Sequence, residues 1–210
     1  MSRLSAQDHD HVAAAIRAAE ARTSGEIYCV VAETSDSYFY PAAVFALIGT
    51  LLAGVVAAIV LDLWWISVRL PVFAIAQALG SATVLVVLLV FPPLRIRLVP
   101  AYLQHRRAHD NAVKQFLAHN VHVTSARTGI LIFVSRAERY AEVIADSGIA
   151  DLVEQQHWNA IVADLTTAAR TGRLGSGLVG AVEASGALLA AHFPPEAAAG
   201  NELADRVVEI

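Results

Sequence analysis

Two long uncharged segments constrain the fold of this chain more than any other feature. From residue 42 to 61 no side chain is charged and Thr50 is the one polar residue, and a second apolar run extends from residue 72 to 91. Because a helix rises about 1.5 Å per residue, each run is long enough to cross the roughly 30 Å hydrocarbon core of a bilayer. The sequence therefore predicts two transmembrane helices. The alternative, two buried helices of a soluble core, is disfavoured because so small a domain cannot surround them.

The connection between the two runs, residues 62–70, is too short to form a domain. The two helices are therefore expected to be antiparallel neighbours in a transmembrane hairpin. Small residues recur at four-residue spacing in both runs, a pattern that lets helix backbones approach closely. The predicted packing positions are Gly49, Ala53 and Ala57 in the first run and Ala74, Ala78, Ala82, Ala76 and Gly80 in the second.

Composition sets the size of what remains outside the hairpin. Of the 210 residues, 56% are hydrophobic and 16% are charged, whereas a soluble domain has about 25% charged residues. Without the hairpin roughly 160 residues are left, enough for one compact α/β domain.

The net charge of −4, with no basic face, predicts no nucleic-acid partner. The single cysteine, Cys29, excludes an internal disulfide, and the beginning of the chain lacks the apolar core of a secretory signal peptide.

The arginines beside the hairpin predict its orientation. Four of them follow the second run, whereas the short connection holds only Arg69. Since positive charge accumulates on the cytoplasmic side, both termini are expected in the cytoplasm, which describes a multi-pass protein of the inner (plasma) membrane. The same four arginines are predicted to bind anionic lipid headgroups, each contributing about 1 kcal/mol near the surface. They are Arg95, Arg97, Arg106 and Arg107.

The rest of the sequence is predicted to form one α/β domain that the hairpin interrupts. The predicted helices are 6–22, 101–119, 151–171 and 175–192, and the predicted strands are 26–32, 129–134 and 139–146. A lone strand is not stable, so the strand before the hairpin must join the two after it in one sheet. The domain then comprises residues 1–40 and 94–193, the hairpin region is 41–93, and 194–210 is a loosely ordered tail.

Two of these helices carry more detailed predictions. In helix 6–22 the inward stripe is Val12, Ile16 and Ala19, and Gly25 ends the helix in the left-handed conformation. In helix 101–119 the inward residues are expected to be Tyr102, His109, Val113, Phe116 and Leu117.

The segments around the predicted strands resemble a known family. Residues 23–31 (TSGEIYCVV) look like the opening of a TPM domain, and so does 128–134 (TGILIFV) with the arginine-bearing turn from Arg136 to Arg139. Residues 144–149 (IADSGI) are similar to the strand and glycine that close the hairpin of that family. The resemblance implies an α/β/α sandwich around a small mixed β-sheet. The family includes a thylakoid lumen protein linked to photosystem II repair, and members with acid phosphatase activity or calcium binding. Its typical members carry the domain outside the cytoplasm, with no inserted hairpin.

Charged residues beside the predicted strands are candidates for chemistry. Asp36, Arg139 and Asp146 are the candidate catalytic residues, because phosphoryl transfer needs cationic groups and a nucleophile or metal site. An Asp36/Asp146 pair would suit Ca²⁺ or Mg²⁺, which prefer oxygen ligands. Arg127 and Arg136 lie near the same strands. The alternative is that these residues are solvated charges at turns and strand ends.

Two histidine pairs also have spacings found in metal sites. His105 and His109 are four residues apart on a predicted helix, but Arg106 stands where a zinc-peptidase motif requires glutamate. We interpret them as an exposed pair near lipid headgroups, and Asp8-His9-Asp10-His11 as a solvated first turn of a helix.

Three functions are compatible with these features. The first is a non-enzymatic membrane protein whose cytoplasmic domain binds another membrane protein, or a second copy of itself, in assembly or quality control of a membrane complex. The alternative is a divalent-metal-dependent phosphatase of the membrane surface. A transporter or channel subunit is disfavoured because neither span contains an ionisable residue.

Overall fold

A computed structural model describes residues 4–124, 127–150, 152–195 and 202–210. The chain divides into two compact units. The first unit consists of Met1–Ser35 together with His105–Ile210, and the second is Asp36–Gln104. The second unit is therefore an insertion into the first along the sequence.

The secondary structure follows the predicted order with four additions. The helices are α1 (Ala6–Glu20), α2 (Phe39–Leu63), α3 (Leu70–Val90), α4 (Pro92–Leu98), α5 (Ala101–Ala118), α6 (Ser147–Ala150), α7 (Gln155–Arg170) and α8 (Leu174–His192), with a 3-10 turn at Val121–Val123. The strands are β1 (Glu26–Ala32), β2 (Gly129–Ser135), β3 (Tyr140–Ala145) and β4 (Val207–Glu209). The additions are the helices α4 and α6, the 3-10 turn and the strand β4.

The four strands form one mixed sheet in the order β3-β2-β1-β4. β1 and β2 run parallel, in register from Glu26 opposite Gly129 to Ala32 opposite Ser135, and every residue of both strands is buried. β3 is antiparallel to β2, and β4 is parallel to β1. Strands from both sides of the insertion therefore share one sheet, as predicted.

The end of the chain corrects the prediction of a loosely ordered tail. Residues 207–209 form β4 beside β1. The pairing is extended by the Glu33 N–H, which donates to the Ile210 carbonyl (2.7 Å), and by the Ile210 N–H, which donates to the Val31 carbonyl (3.0 Å). Residues 196–201 of the predicted tail lie outside the described residues.

Successive side chains of β1 and β2 point to opposite faces of the sheet, and each face has its own hydrophobic core. Helices α1, α7 and α8 cover one face, where their apolar side chains meet Ile27, Cys29, Val31, Ile130, Ile132 and Val134. Helix α5 and the 3-10 turn cover the other face, over Tyr28, Val30, Ala32, Leu131 and Phe133. The inward stripe predicted for α1, Val12, Ile16 and Ala19, is buried. In α5 the prediction is confirmed at Phe116 and wrong at Tyr102, His109 and Leu117, which are exposed; Val113 is half-buried. The other buried residues are Ala108 and Ala112.

Close backbone approach fixes the helix layer over the first core. A Cβ on Gly186 of α8 would lie 2.6 Å from the Ala19 Cβ of α1, and one on Gly177 would lie 2.7 Å from the Ala168 Cβ of α7. Glycine at these positions therefore sets how closely α8 packs on both neighbours. Gly25 also serves close packing, since its φ is not positive and a Cβ there would lie 2.9 Å from Leu189 Cδ1. The predicted left-handed conformation at Gly25 is wrong.

Three helices in the described residues are long and apolar enough to cross a membrane: α2, α3 and α8. They differ in burial. In the most apolar 18-residue stretch of each helix, 6% is buried in α2, 6% in α3 and 44% in α8. The side chains of α2 and α3 thus expose a large apolar surface, whereas α8 contributes to the domain core.

Polar side chains, not the predicted small residues, mark the contact between α2 and α3. The Gln77 side chain of α3 donates to the Thr50 carbonyl of α2 (2.7 Å) and lies where a Cβ on Gly54 would be. Thr50 Oγ1 and Ser81 Oγ are 3.4 Å apart. The predicted packing positions in both runs are exposed instead, and a Cβ on Gly49 or Gly80 would meet nothing within 4 Å.

Candidate functional site

The carboxyl ends of β1 and β2 meet at one edge of the sheet, where a buried polar cluster lies. Glu138, which is 4% exposed, accepts hydrogen bonds from the Ser35 N–H (2.8 Å) and from the Ser135 hydroxyl. The Ser35 hydroxyl donates to Ser135 Oγ (2.9 Å), and the Thr34 hydroxyl donates to Glu138 Oε1 (3.3 Å). We call Thr34, Ser35, Ser135 and Glu138 the serine–glutamate cluster. It joins the segment that leaves β1 to the turn between β2 and β3.

An ion pair lies on the same turn. Arg136, whose side chain is 9% exposed, donates from Nη1 to Glu33 Oε2 (2.7 Å). The Arg136 N–H also donates to the Ala32 carbonyl (3.0 Å), and the Ala137 N–H donates to the Glu33 carbonyl (3.0 Å). Arg136 therefore holds β1 and the turn together through both its backbone and its side chain.

The structure does not bring the three candidate catalytic residues together. Arg139 precedes β3 and Asp146 follows it, so the strand separates them by roughly 20 Å at about 3.3 Å per residue. Asp36 belongs to the second unit and accepts a hydrogen bond from the Ser37 hydroxyl (3.4 Å). Arg139 has a left-handed backbone (φ 54°), which closes the tight turn before β3.

Asp146 is buried and lies against Arg127 and the start of α6. It is 4% exposed, and its Oδ2 lies 3.0 Å from Arg127 Nε. Its Oδ1 accepts from the Ser147 N–H (2.6 Å) and hydroxyl (3.2 Å) at the start of α6. These contacts make Asp146 a link between β3, α6 and Arg127. Within the described residues, no group of three histidine, cysteine, aspartate or glutamate side chains has the geometry of a metal site.

Several carboxylates meet at the amino end of β1. Glu20 at the end of α1 accepts a hydrogen bond from the Ile27 N–H (2.9 Å), and burial raises the pKa of its carboxyl to about 8. Burial also raises the pKa of Glu26, whose carboxylate accepts from the N–H groups of Glu202 (3.3 Å) and Leu203 (3.2 Å). The segment that leads into β4 is therefore held by a carboxylate of β1.

The four arginines predicted to meet lipid headgroups differ in their surroundings. Arg95 donates from Nε to the Leu88 carbonyl (2.7 Å) and from Nη2 to the Leu89 carbonyl (3.0 Å), and its guanidinium lies 5.6 Å from the Phe39 ring centre. Arg95 thus satisfies carbonyls at the end of α3. Arg97, Arg106 and Arg107 are exposed.

A cleft that the sequence did not reveal follows the outer side of β3. Its floor is β3 itself, and its walls come from α5 (His109, Val113) and α7 (Trp158, Asn159, Val162), enclosing about 400 Å³. A second cleft of about 380 Å³ begins at Val143 and Ala145 and extends towards Leu152 and Glu154. His109 Nδ1 lies 3.0 Å from both carboxylate oxygens of Glu142, and the Tyr140 hydroxyl donates to Glu142 Oε2 (3.0 Å). We call these two clefts the β3 groove.

His105 and His109 therefore have other roles than a metal pair. The His105 ring lies 5.5 Å from the Tyr140 ring, and His109 faces Glu142. At the amino terminus, Ser5 and Asp8 form a reciprocal cap on α1, and His9 pairs with Glu209 of β4 (2.7 Å). The first turn of α1 is thus capped, and His9 ties it to the end of the chain.

Comparisons with known proteins identify a fold and no function. No protein-family model matches the chain, and no curated protein matches it. The chain is similar to the NMR structure of the BA42 protein from the psychrophilic bacterium Bizionia argentinensis, with a TM-score of 0.61 and 19% identity over 100% of this chain and 97% of that chain. At this identity the likeness supports the fold alone, and the resemblance to TPM domains stays a prediction.

Proposed function

We propose that the chain is an integral membrane protein whose hairpin, α2 and α3, anchors a cytoplasmic domain that binds another membrane protein. The observation that carries this proposal is the contrast between the units. The helices of the second unit expose apolar side chains along their length, whereas the first unit buries its apolar residues around a sheet.

The pairing of β1 with β2 requires both parts of the domain to lie on the same side of the membrane. β1 precedes α2 and β2 follows α3, yet the two strands pair along their whole length. A single crossing between them would put them on opposite sides, so α2 and α3 must cross together. The same reasoning removes α8 as a span, because it lies between β3 and β4 and β4 pairs with β1.

Charge supports the cytoplasmic placement of the domain. Arg95 and Arg97 follow α3 directly, against Arg69 between the two spans, and positive residues favour the cytoplasmic side. Exposed Arg97, Arg106 and Arg107 are placed in sequence after the second span, where anionic headgroups would attract them.

Cysteine labelling in intact cells tests the topology. Native Cys29 is fully buried and provides the background. Ser67→Cys, in the exposed connection between α2 and α3, should react with an impermeant maleimide in intact cells, and Ser176→Cys on the domain only after the cells are opened. The opposite labelling pattern would indicate the reverse orientation. If neither cysteine reacted before the cells were opened, the result would contradict the proposed membrane crossing.

Crosslinking in native membranes tests the binding role. The full chain should be recovered covalently linked to a second membrane protein or to another copy of itself. Recovery of the bare monomer from membranes at native expression would contradict the proposed role. Phosphoryl transfer receives less support, because Asp146 is paired with Arg127 and Arg139 lies at the other end of β3.

A further inference from the structure

The outer edge of β3 carries main-chain groups directed away from the sheet. In an antiparallel pair, successive residues alternate between bonding the neighbouring strand and facing away from it. The Asp146 N–H donates to the Gly129 carbonyl (2.9 Å), which fixes this alternation through the β2–β3 register. The residues that direct their N–H and C=O groups outward are therefore Ala141, Val143 and Ala145.

These groups have no strand beside them in the described parts of the chain. β3 is the terminal strand of the sheet, and no backbone hydrogen bond from another described segment reaches these three residues. Exposed strand edges of this kind pair readily with another extended chain. The outer edge of β3 is therefore suited to pair with another main chain in β conformation.

The walls of the β3 groove restrict the occupant to a single extended segment. α5 stands on one side of the edge and α7 on the other. A second copy of this domain would bring its own α5 and α7 to the same place, so its β3 could not approach. A slender peptide strand, about 4.8 Å from β3, meets no such obstacle.

The side chains of the groove specify the sequence of that segment. Its lining includes Glu154 and Glu142, beside which His109 lies, and, among the described residues, no lysine or arginine. Glu142 lies on the α5 side of β3 with Tyr140 and Ile144, whereas Val143 faces Trp158 on the α7 side. Basic side chains would thus be favoured towards α5 and apolar ones towards α7.

We propose that the β3 groove binds an extended segment of a partner protein, in which basic and apolar residues alternate, as an added antiparallel strand. This inference rests on the proposed partner-binding function and names its surface. Residues of the segment opposite Ala141, Val143 and Ala145 hydrogen-bond to β3 and direct apolar side chains to α7. The residues between them direct basic side chains to Glu142.

A synthetic peptide tests the alternation. The probe is a fluorescently labelled peptide of about seven residues with alternating lysine and valine, matched to the length of β3. Its binding to the full chain in neutral detergent is measured by fluorescence anisotropy. It should bind at least about tenfold more tightly than a peptide of the same composition with lysines and valines in separate blocks, and than the alternating glutamate–valine peptide.

Two further measurements test strand addition itself. Val143→Pro removes an outward N–H while leaving the β2 ladder intact, and should weaken binding by about tenfold at unchanged charge and in the same detergent. A peptide N-methylated at its valines should lose binding to the unaltered protein, whereas N-methylation at the lysines should preserve it, because only the valine N–H groups face β3.

Equal affinity for the alternating and block peptides, or equal effects of the two N-methylation patterns, would overturn the inference. Crosslinking to a membrane partner that is as strong in Val143→Pro as in the unaltered protein would also overturn the inference. That result would still be compatible with the proposed binding function. If no partner is crosslinked but the alternating peptide binds tightly, the proposed function is contradicted, whereas the inference that the β3 groove binds an extended segment is supported.

Discussion

Protonation of Glu20 is coupled to the stability of the domain. Burial is the main cause that raises the pKa of the Glu20 carboxyl from 4.5 to about 8; the nearby Glu26 and Asp205 add to the increase, and the hydrogen bond from the Ile27 N–H opposes it. A carboxyl group with a raised pKa in the folded state binds more protons folded than unfolded. Its contribution is therefore complete below pH 4.5 and is lost as the pH rises through about 8.

Glu20→Gln tests this dependence. Glutamine retains an acceptor for the Ile27 N–H and carries no charge, so the variant should be more stable than the parent at pH 8.5 by about 1 kcal/mol, allowing for partial exposure. Thermal melting between about pH 5.5 and 8.5 should show a smaller decline for the variant. Glu183→Gln, on the exposed side of α8, is the matched control and should leave the decline unchanged.

The serine–glutamate cluster gives a second prediction at this scale. Glu138→Ala would leave the buried Ser135 hydroxyl and the Ser35 N–H without their acceptor. Since each unsatisfied buried group costs about 1–3 kcal/mol, the free energy of unfolding should fall by about 3 kcal/mol. Urea unfolding followed by tryptophan fluorescence measures the loss. A change as small as that of the exposed control Glu183→Ala would contradict the role assigned to the cluster.

Among the elements, α8 offers a pair of glycines with opposite predictions. Gly186 packs on Ala19, and a Cβ there would lie 2.6 Å from the Ala19 Cβ, so Gly186→Ala should destabilise the domain by about 1–3 kcal/mol through overpacking. Gly180 lies on the same helix with nothing within 4 Å of its Cβ position. Gly180→Ala should stabilise by about 0.5–1 kcal/mol through helix propensity. Melting temperatures that shift in the same direction would contradict this packing.

The elements also show where sequence patterns lead to correct predictions. Apolar periodicity locates α1, α5, α7 and α8 to within a few residues, and continuous apolar runs locate β1 and β2. Periodicity fails for β4, because a strand of three residues is too short to show a repeat. It also fails for the face of α5, where Ala108 and Ala112 are buried and larger side chains are exposed.

The candidate site was harder to predict than the elements for a geometric reason. Arg139 and Asp146 are close in sequence, but an extended strand separates its ends more than any other structure of equal length. The β3 groove depends on which strand lies at the edge of the sheet, and sequence order does not show this. Small-residue spacing in the hairpin repeats on several faces, so the contact made by Gln77 with Thr50 could not be distinguished in advance.

For the whole molecule, the central position of β1 gives the main prediction. β1 lies between β2 and β4, so removing it leaves these strands without a common neighbour. A fragment of residues 93–210 should therefore fold poorly alone and recover its structure when residues 1–40 are supplied. Cooperative unfolding of the isolated fragment, measured by circular dichroism, would contradict the shared sheet.

The central position of β1 also sets the timing of folding during synthesis. β1 is completed early, yet one of its partners, β2, follows α2 and α3, and the other, β4, follows α8. At ribosomal rates of about 5–20 residues per second, roughly 10–35 s pass between completion of β1 and of β4. Through that interval a strand of seven residues, all destined for burial, lacks at least one neighbour. The nascent chain is thus open to chaperones and proteases until β4 has been synthesised.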